Sequence, residues 1–292
     1  MDIWIIFTPI LKVLLYIATF GSVGSFLFSL QFGKQLTAEQ QTYCNYLTHK
    51  SNLIGAVTAL LMILCGAGNL GGDLTSVIDL SLLQLAIESK SGVGYSTAFT
   101  GFAVMLIAHS LSGNAKRFGL MIGSVAILFS ATMSGHSQLG GVLTQSLLMV
   151  HLFGIAFWLG ALLPFRWICM QPDTNNLGAL AHRFGVLAMG YVSLLLSAGL
   201  GYAYLLLGDV SLIFTTRYGN VLLIKIVLAG ALLSLAALNK FKLVPSLEIT
   251  PPQAVRRFQS SVQFEIALVI VILITSSLLT TSMTLPMGMS NG

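Results

Sequence analysis

Eight long apolar runs dominate the sequence and restrict its possible folds more than any other feature. A transmembrane helix needs about 20 mostly apolar residues, and each run approaches or exceeds that length. Charged residues make up only 8% of the chain, whereas a soluble protein carries about 25% to cover its surface. The runs extend from about Ile3 to Phe32, Ser51 to Asn69, Val93 to Ser112, Phe118 to Met133, Val142 to Phe165, Phe184 to Leu207, Asn220 to Leu238, and Phe258 to Ser282.

The predicted fold class is therefore an all-α integral membrane protein, a bundle of eight transmembrane helices. We expect a single polytopic membrane domain over residues 1–292. The alternative is six or seven spans with one run lying on the surface. The long connection from Leu70 to Gly92 has an apolar middle, from Leu74 to Ile87, which predicts a short surface or re-entrant helix. The Pro-containing segment from Val244 to Gln253 is predicted to be a simple connection.

Basic residues are concentrated on one side of the predicted bundle. The loops after the first, third, fifth and seventh spans hold most of them, whereas the opposite loops hold only Lys90 and Arg217. Cytoplasmic loops are enriched in Lys and Arg, so the basic side is predicted to be cytoplasmic and both termini to lie outside. The residues on the basic side are Lys34, Lys50, Lys116, Arg117, Arg166, Arg183, Lys240, Lys242, Arg256 and Arg257.

Several function classes have no support in the sequence. The net charge of +5 resides in short loops, where it sets topology and does not indicate nucleic-acid binding. The three cysteines match no zinc or disulfide framework. No phosphate-binding loop of the Gly-x-x-x-x-Gly-Lys-Ser/Thr type is present, and no catalytic triad can be placed at one depth. We therefore predict that the protein is not an enzyme.

Ionisable groups inside a bilayer are costly, and each is by default a functional candidate. Five lie within the predicted spans: Lys12, His109, His151, Lys225 and Glu265. The two lysines lie in the outer halves of their spans, where snorkelling toward the headgroups is the simplest interpretation and is favoured for Lys12. Lys225 could instead pair with Glu265. Glu265 could guide an ion along the bundle or serve as a structural hydrogen-bond partner.

His151 lies roughly 14 Å below the outer surface by helix rise. Gly154 and Trp158 share its helix face at spacings of three and seven residues. Gly154 would let a neighbouring helix approach closely. Two interpretations remain open for His151: a neutral imidazole bonded to a neighbouring helix, or a metal ligand.

Sulfur and imidazole ligands occur together toward the outer side. Met133 and His136 are three residues apart at the end of the fourth span, and thioether with imidazole suits Cu(I). The C-terminal tail carries Met283, Met287 and Met289, where exposed methionines gain nothing from packing. The alternatives are a polar histidine at a helix end and a disordered tail with chance methionines.

A haem group between the second and third spans would need two facing histidines. His49 and His109 are the candidates there, although His49 lies close to the membrane surface. A haem-binding membrane cytochrome is therefore a minor alternative.

The fifth span resembles the signature helix of the CopD copper-resistance family of bacterial inner-membrane proteins, called PcoD in one branch. Further matches follow in the same order, strongest from Gly135 to the C-terminus. Relatives tend to carry a histidine in the first span, where this chain has Lys12. The matching segments are His151 to Pro164, Ser134-Gly135-His136, Arg183-Phe184, Ser197-Ala198-Gly199, Leu222 to Lys225, Ala237 to Lys240, Val244-Pro245 and Glu265.

The resemblance implies eight spans, a multi-pass inner-membrane location and a role in moving or handling a copper ion, Cu(I) or Cu(II). In an inner membrane, the outer termini predicted from the charge asymmetry are periplasmic. The resemblance also implies a periplasmic copper carrier of the CopC type as partner. The leading function is copper transport or homeostasis, with copper moving from periplasm to cytoplasm. Alternatives are a non-transporting copper-binding or cuproenzyme-assembly factor, and the cytochrome. We predict metal ligands at His136, His151 and Met133 and in the methionine tail, with Glu265, Lys225 and Trp158 in a transport pathway or pairing helices.

Overall fold

The computed structural model describes residues 3–133, 141–209, 211–249 and 251–281, and this part of the chain is helical without β-strands. Short 3₁₀ turns occur at Thr75–Ile78 and Ala131–Met133. The α-helices are α1 (Trp4–Phe32), α2 (Ala38–Gly71), α3 (Leu80–Glu88), α4 (Lys90–His109), α5 (Gly113–Ser130), α6 (Gly141–Ile168), α7 (Leu177–Leu207), α8 (Leu212–Thr215), α9 (Arg217–Leu238), α10 (Val244–Ile249) and α11 (Pro251–Thr281).

Eight of these helices (α1, α2, α4, α5, α6, α7, α9 and α11) are long and apolar enough to cross a membrane, which confirms the predicted bundle. The largest boundary error is at α2, which begins at Ala38 instead of near Ser51. Thr37 and Gln40 form a capping box there, so a polar segment starts the helix before the apolar run. Because the number of spans is even, Trp4 and Thr281 lie on one side, called here the terminal side.

Helix α1 packs against α2, α6 and α11. It crosses α6 backbone to backbone at Gly24 and Gly160. A Cβ atom added to Gly160 would lie 2.2 Å from the Gly24 backbone, so neither position can hold a side chain. Small residues of this kind let helices approach closely in lipid.

An aromatic cluster joins four helices on the side away from the termini. The Phe165 ring of α6 lies edge-on to Phe28 of α1 at 5.5 Å, to Phe184 of α7 at 5.3 Å and to Phe258 of α11 at 5.8 Å between centroids. The surrounding hydrophobic core contains residues from all eight spanning helices.

The predicted short helix in the long connection is confirmed as the 3₁₀ turn Thr75–Ile78 followed by α3. Asp79 caps α3, because its carboxylate accepts hydrogen bonds from the backbone N–H of Ser81 at 2.9 Å and of Leu82 at 3.1 Å.

The simple connection predicted over Val244 to Gln253 is wrong. A π-helix, Asn239–Leu243, continues α9 and leads directly into α10. A π-turn holds an extra residue per turn, and such turns frequently lie at functional sites. Here Asn239 is buried, with 7% of its surface exposed.

Candidate functional site

His151 is fixed by α7. Its Nδ1 lies 2.9 Å from the backbone carbonyl oxygen of Leu195. Because a carbonyl only accepts, Nδ1 carries the proton and Nε2 of a neutral ring keeps its lone pair. Gly199 makes room for the ring, since a Cβ there would lie 2.7 Å from Nδ1. Metal-binding histidines typically donate their second nitrogen to a carbonyl or carboxylate in this way.

The neighbours of His151 on its own helix behave as predicted. A Cβ on Gly154 would meet the Leu195 side chain at 2.8 Å, so this glycine permits the close approach of α7. Trp158 and His151 both line one cavity. The two interpretations of His151 are therefore compatible, because one nitrogen bonds a neighbouring helix while the other stays available.

This cavity, called here the histidine cavity, has a volume of about 440 Å³ between α1, α6, α7, α9 and α11. Most of its wall is apolar, which excludes bulk water from the polar groups. Its polar lining residues are Lys12, Tyr16, His151, Tyr202, Tyr218, Lys225, Ser276 and Thr280.

The structure corrects the predicted snorkelling of Lys12. Only 7% of the Lys12 surface is exposed, and its Nζ lies 5.7 Å from the ring centroid of Tyr16 and 5.0 Å from that of Tyr95. Aromatic faces attract an ammonium and partly replace its water shell. Lys12 therefore points into the bundle beside the histidine cavity.

Lys225 lines the same cavity and is close enough to interact electrostatically with His151. Glu265 lies elsewhere, and the considered pairing of Lys225 with Glu265 is absent from the described residues.

Glu265 lines a second cavity of about 210 Å³, called here the glutamate cavity, on the side away from the termini. Glu265 is 3% exposed and its carboxyl accepts a hydrogen bond of 2.5 Å from Nδ2 of Asn239, and the Trp158 side chain lies close enough to interact with the carboxyl. Lys240 Nζ donates to the carbonyl of Gly185 at 2.9 Å in the same region. The π-helix thus supplies the amide that holds the buried carboxyl.

Trp158 and Leu233 line both cavities. They form a thin layer between the histidine cavity and the glutamate cavity. Trp158 is therefore the aromatic side chain that the walls of the two cavities share.

The remaining predicted ligands are less well placed or lie outside the described residues. The Met133 sulfur accepts a hydrogen bond from the Thr97 hydroxyl at 3.6 Å, and Met133 does not line the histidine cavity. The described residues contain no group of three or more His, Cys, Asp or Glu side chains that could hold a metal ion. The predicted ligands His136, Met283, Met287 and Met289 lie outside the described residues.

The histidine pair considered for haem is in direct contact. The rings of His49 and His109 are 5.3 Å apart between centroids, and His109 Nε2 lies 3.2 Å from the Asn45 carbonyl oxygen. Axial haem ligands need the porphyrin between them, and these rings leave no space for it.

Sequence reasoning missed the tyrosines of the histidine cavity and Asn239. Tyrosines are common at membrane interfaces, so Tyr16, Tyr202 and Tyr218 gave no distinct signal. Asn239 is an amide directly following an apolar run, and the sequence singles it out only as part of the segment Ala237 to Lys240 that resembles the family.

Comparisons with known proteins agree with this architecture. Residues 178–279 match the family described as Copper resistance protein D, and residues 1–145 match the Copper resistance protein D-like N-terminal domain. The inner membrane protein YebZ of Escherichia coli (strain K12) is 26% identical over 244 residues, covering 77% of this chain and 80% of that protein. No solved structure matches significantly. The chain is a multi-pass inner-membrane protein and belongs to the copper resistance protein D family.

Proposed function

We propose that this protein transports copper inward across the membrane, with the histidine cavity as its binding chamber. The observation that carries the proposal is the hydrogen bonding of the His151 ring. One ring nitrogen is bonded to the Leu195 carbonyl, and the other is free for a metal within a mostly apolar, partly open chamber. His151 is about 15 Å along α6 from its start at Gly141, well inside the membrane.

In this proposal the terminal side is periplasmic, as the charge asymmetry predicts. Copper reaches the bundle from a periplasmic carrier of the CopC type. Met133, His136 and the tail methionines Met283, Met287 and Met289 capture it, because sulfur and imidazole ligands favour Cu(I). His151 is then the deeper ligand. Residues 1–292 act as one domain, since every spanning helix contributes to one hydrophobic core.

Release toward the cytoplasm runs through the glutamate cavity. Acidic residues within spans commonly mark ion pathways, and Glu265 is the acidic side chain of this second chamber. Trp158 lies beside Glu265 and lines both chambers, so in this proposal passage requires its indole to move. Lys225 stays on the histidine side and does not neutralise Glu265.

The test is Cu(I) uptake into proteoliposomes that contain the purified protein. We expect uptake by the wild type, at least tenfold less by His151→Ala, and wild-type uptake by His109→Ala, a histidine in a span outside both cavities. Equal uptake by wild type and His151→Ala would contradict the proposal.

A second candidate is a copper-binding or assembly factor that does not transport. It is favoured by the restricted link between the cavities at Trp158 and Leu233. Stoichiometric copper binding that depends on His151, without uptake, would select this candidate.

A further inference from the structure

The histidine cavity has an unusual charge composition for a site that receives a metal cation. Two lysines line it and no carboxylate does so among the described residues. Lys12 on α1 and Lys225 on α9 each lie about 12 Å along their helices from the terminal side, close to the depth of His151 at about 15 Å. Three basic side chains from three helices therefore meet at one level of the membrane.

Of these three basic side chains, Lys225 has the fewest partners that could offset its charge. No hydrogen bond or ion pair to a described residue accompanies its electrostatic contact with His151. Lys12, in contrast, lies over the rings of Tyr16 and Tyr95. An ammonium inside the membrane is costly unless an anion or a dipole faces it.

Hydroxyl groups complete the lining around these cations. Tyr16, Tyr202 and Tyr218 come from three helices, and Ser276 and Thr280 come from α11. An ammonium group only donates hydrogen bonds, whereas a hydroxyl both donates and accepts. The Thr280 hydroxyl donates to the Ser276 carbonyl oxygen at 3.0 Å and lies 3.3 Å from the Tyr16 hydroxyl, so the two ammonium groups are the dedicated donors of the cavity. A cavity lined by one sign of charge concentrates ions of the opposite sign.

A bare copper ion on His151 would share the cavity with the Lys225 ammonium, which interacts electrostatically with His151. Two like charges repel strongly in a site that excludes bulk water. An anion placed between them removes this repulsion, because it can ligate the copper and accept a hydrogen bond from Lys225 at the same time. Cu(I) with one halide is electrically neutral, which lowers the cost of holding it within the membrane.

We propose that the histidine cavity binds a small halide-class anion beside Lys225, and that this anion is the co-ligand of copper on His151. The copper part rests on the proposed function, whereas anion binding depends only on the lysines and hydroxyls. The volume of about 440 Å³ holds a hydrated chloride together with the metal.

The first experiment measures anion binding without copper. The thermal unfolding midpoint of the purified full-length protein in detergent is followed as chloride replaces methanesulfonate at constant ionic strength. A ligand that binds only the folded state raises the midpoint. We expect a rise for the wild type, for Lys225→Arg and for Lys34→Met, an exposed loop lysine, and little or none for Lys225→Met. No rise in the wild type, or an equal rise in Lys225→Met, would overturn the inference.

The second experiment measures the affinity of the protein for Cu(I) in chloride and in methanesulfonate. A competing chelator, calibrated in each buffer, sets the concentration of free Cu(I). Two ligands coupled in one site change each other's affinity reciprocally, and we expect about tenfold tighter copper binding in chloride. Lys225→Met should remove this difference. Equal affinity in both buffers overturns the inference while leaving the proposed function intact. Absence of copper binding in both buffers overturns the proposed function, and the copper-free titration still decides anion binding.

Discussion

The histidine cavity and the glutamate cavity share walls from α6, α7, α9 and α11, yet their ionisable groups have opposite character. The first contains lysines and an imidazole without a carboxylate among its described lining residues. The second contains a buried carboxyl held by Asn239 and Trp158. A cation therefore needs a compensating partner in the first chamber and finds a carboxyl in the second. In the proposed function, this contrast would place capture and release on opposite sides of the layer formed by Trp158 and Leu233.

The largest effect is expected at the crossing of α1 and α6. Gly160→Ala places a methyl group 2.2 Å from the Gly24 backbone, and backbone cannot move aside as a side chain can. We expect the free energy of unfolding to fall by about 3 kcal/mol and both cavities to be distorted. Denaturant unfolding in mixed micelles measures the change. Gly230→Ala is the matched control, since its new Cβ meets nothing within 4 Å, and equal stability of the two variants would refute the crossing.

A second substitution should affect the histidine cavity and leave the glutamate cavity unchanged. Gly199→Ala pushes against the His151 ring and breaks its bond to Leu195. Loss of such an orienting bond weakens metal affinity about 10- to 100-fold. Cu(I) affinity by chelator competition checks this, with Gly190→Ala on the same helix as control because its Cβ meets nothing. Unchanged affinity would show that the Leu195 carbonyl does not position the ligand.

The layer between the chambers can be tested separately. Trp158→Phe keeps an aromatic ring but removes the N–H that faces Glu265. Losing one such bond, worth about 1 kcal/mol, should raise copper flux severalfold if displacement of the indole limits passage, while copper affinity stays the same. Flux measurements compare this variant with Trp167→Phe, a tryptophan of the same helix stacked on Tyr43. A fall in flux would assign the indole an active part in transfer.

The smallest effect is expected in the connection between α2 and α4, which contains α3. Hydrogen bonds from the Ser81 hydroxyl and the Leu82 N–H hold the pKa of Asp79 below its usual range. A depressed folded-state pKa means that the cap stabilises α3 above the ordinary carboxyl pKa and loses this effect as pH falls through the folded value. Amide exchange of α3 should accelerate on acidification in the wild type and show no such step in Asp79→Asn. An identical pH profile in both proteins would contradict the capping role.

Most of the fold could be predicted from hydropathy, because lipid leaves a helix as the solution for each long apolar run. The shared face of His151, Gly154 and Trp158 also followed from helical periodicity. The direction of Lys12 did not, since it depends on the tertiary contact with Tyr95 of α4, although Tyr16 lies on the same face of α1 as Lys12. The π-helix was not predicted either, and the partner of its Asn239 is Glu265, 26 residues away in sequence.

The contact of Gly24 with Gly160 has a mechanical consequence. Two helices that touch through backbone alone have no interlocking side chains at that point, so the contact acts as a fulcrum. His151 lies nine residues from Gly160, about 14 Å along the axis, so a ten-degree tilt would move it by roughly 2 Å. Trp158, two residues from the same point, would hardly move. A small rocking of α6 would therefore change the width of the chamber that holds the metal while leaving the separating layer in place.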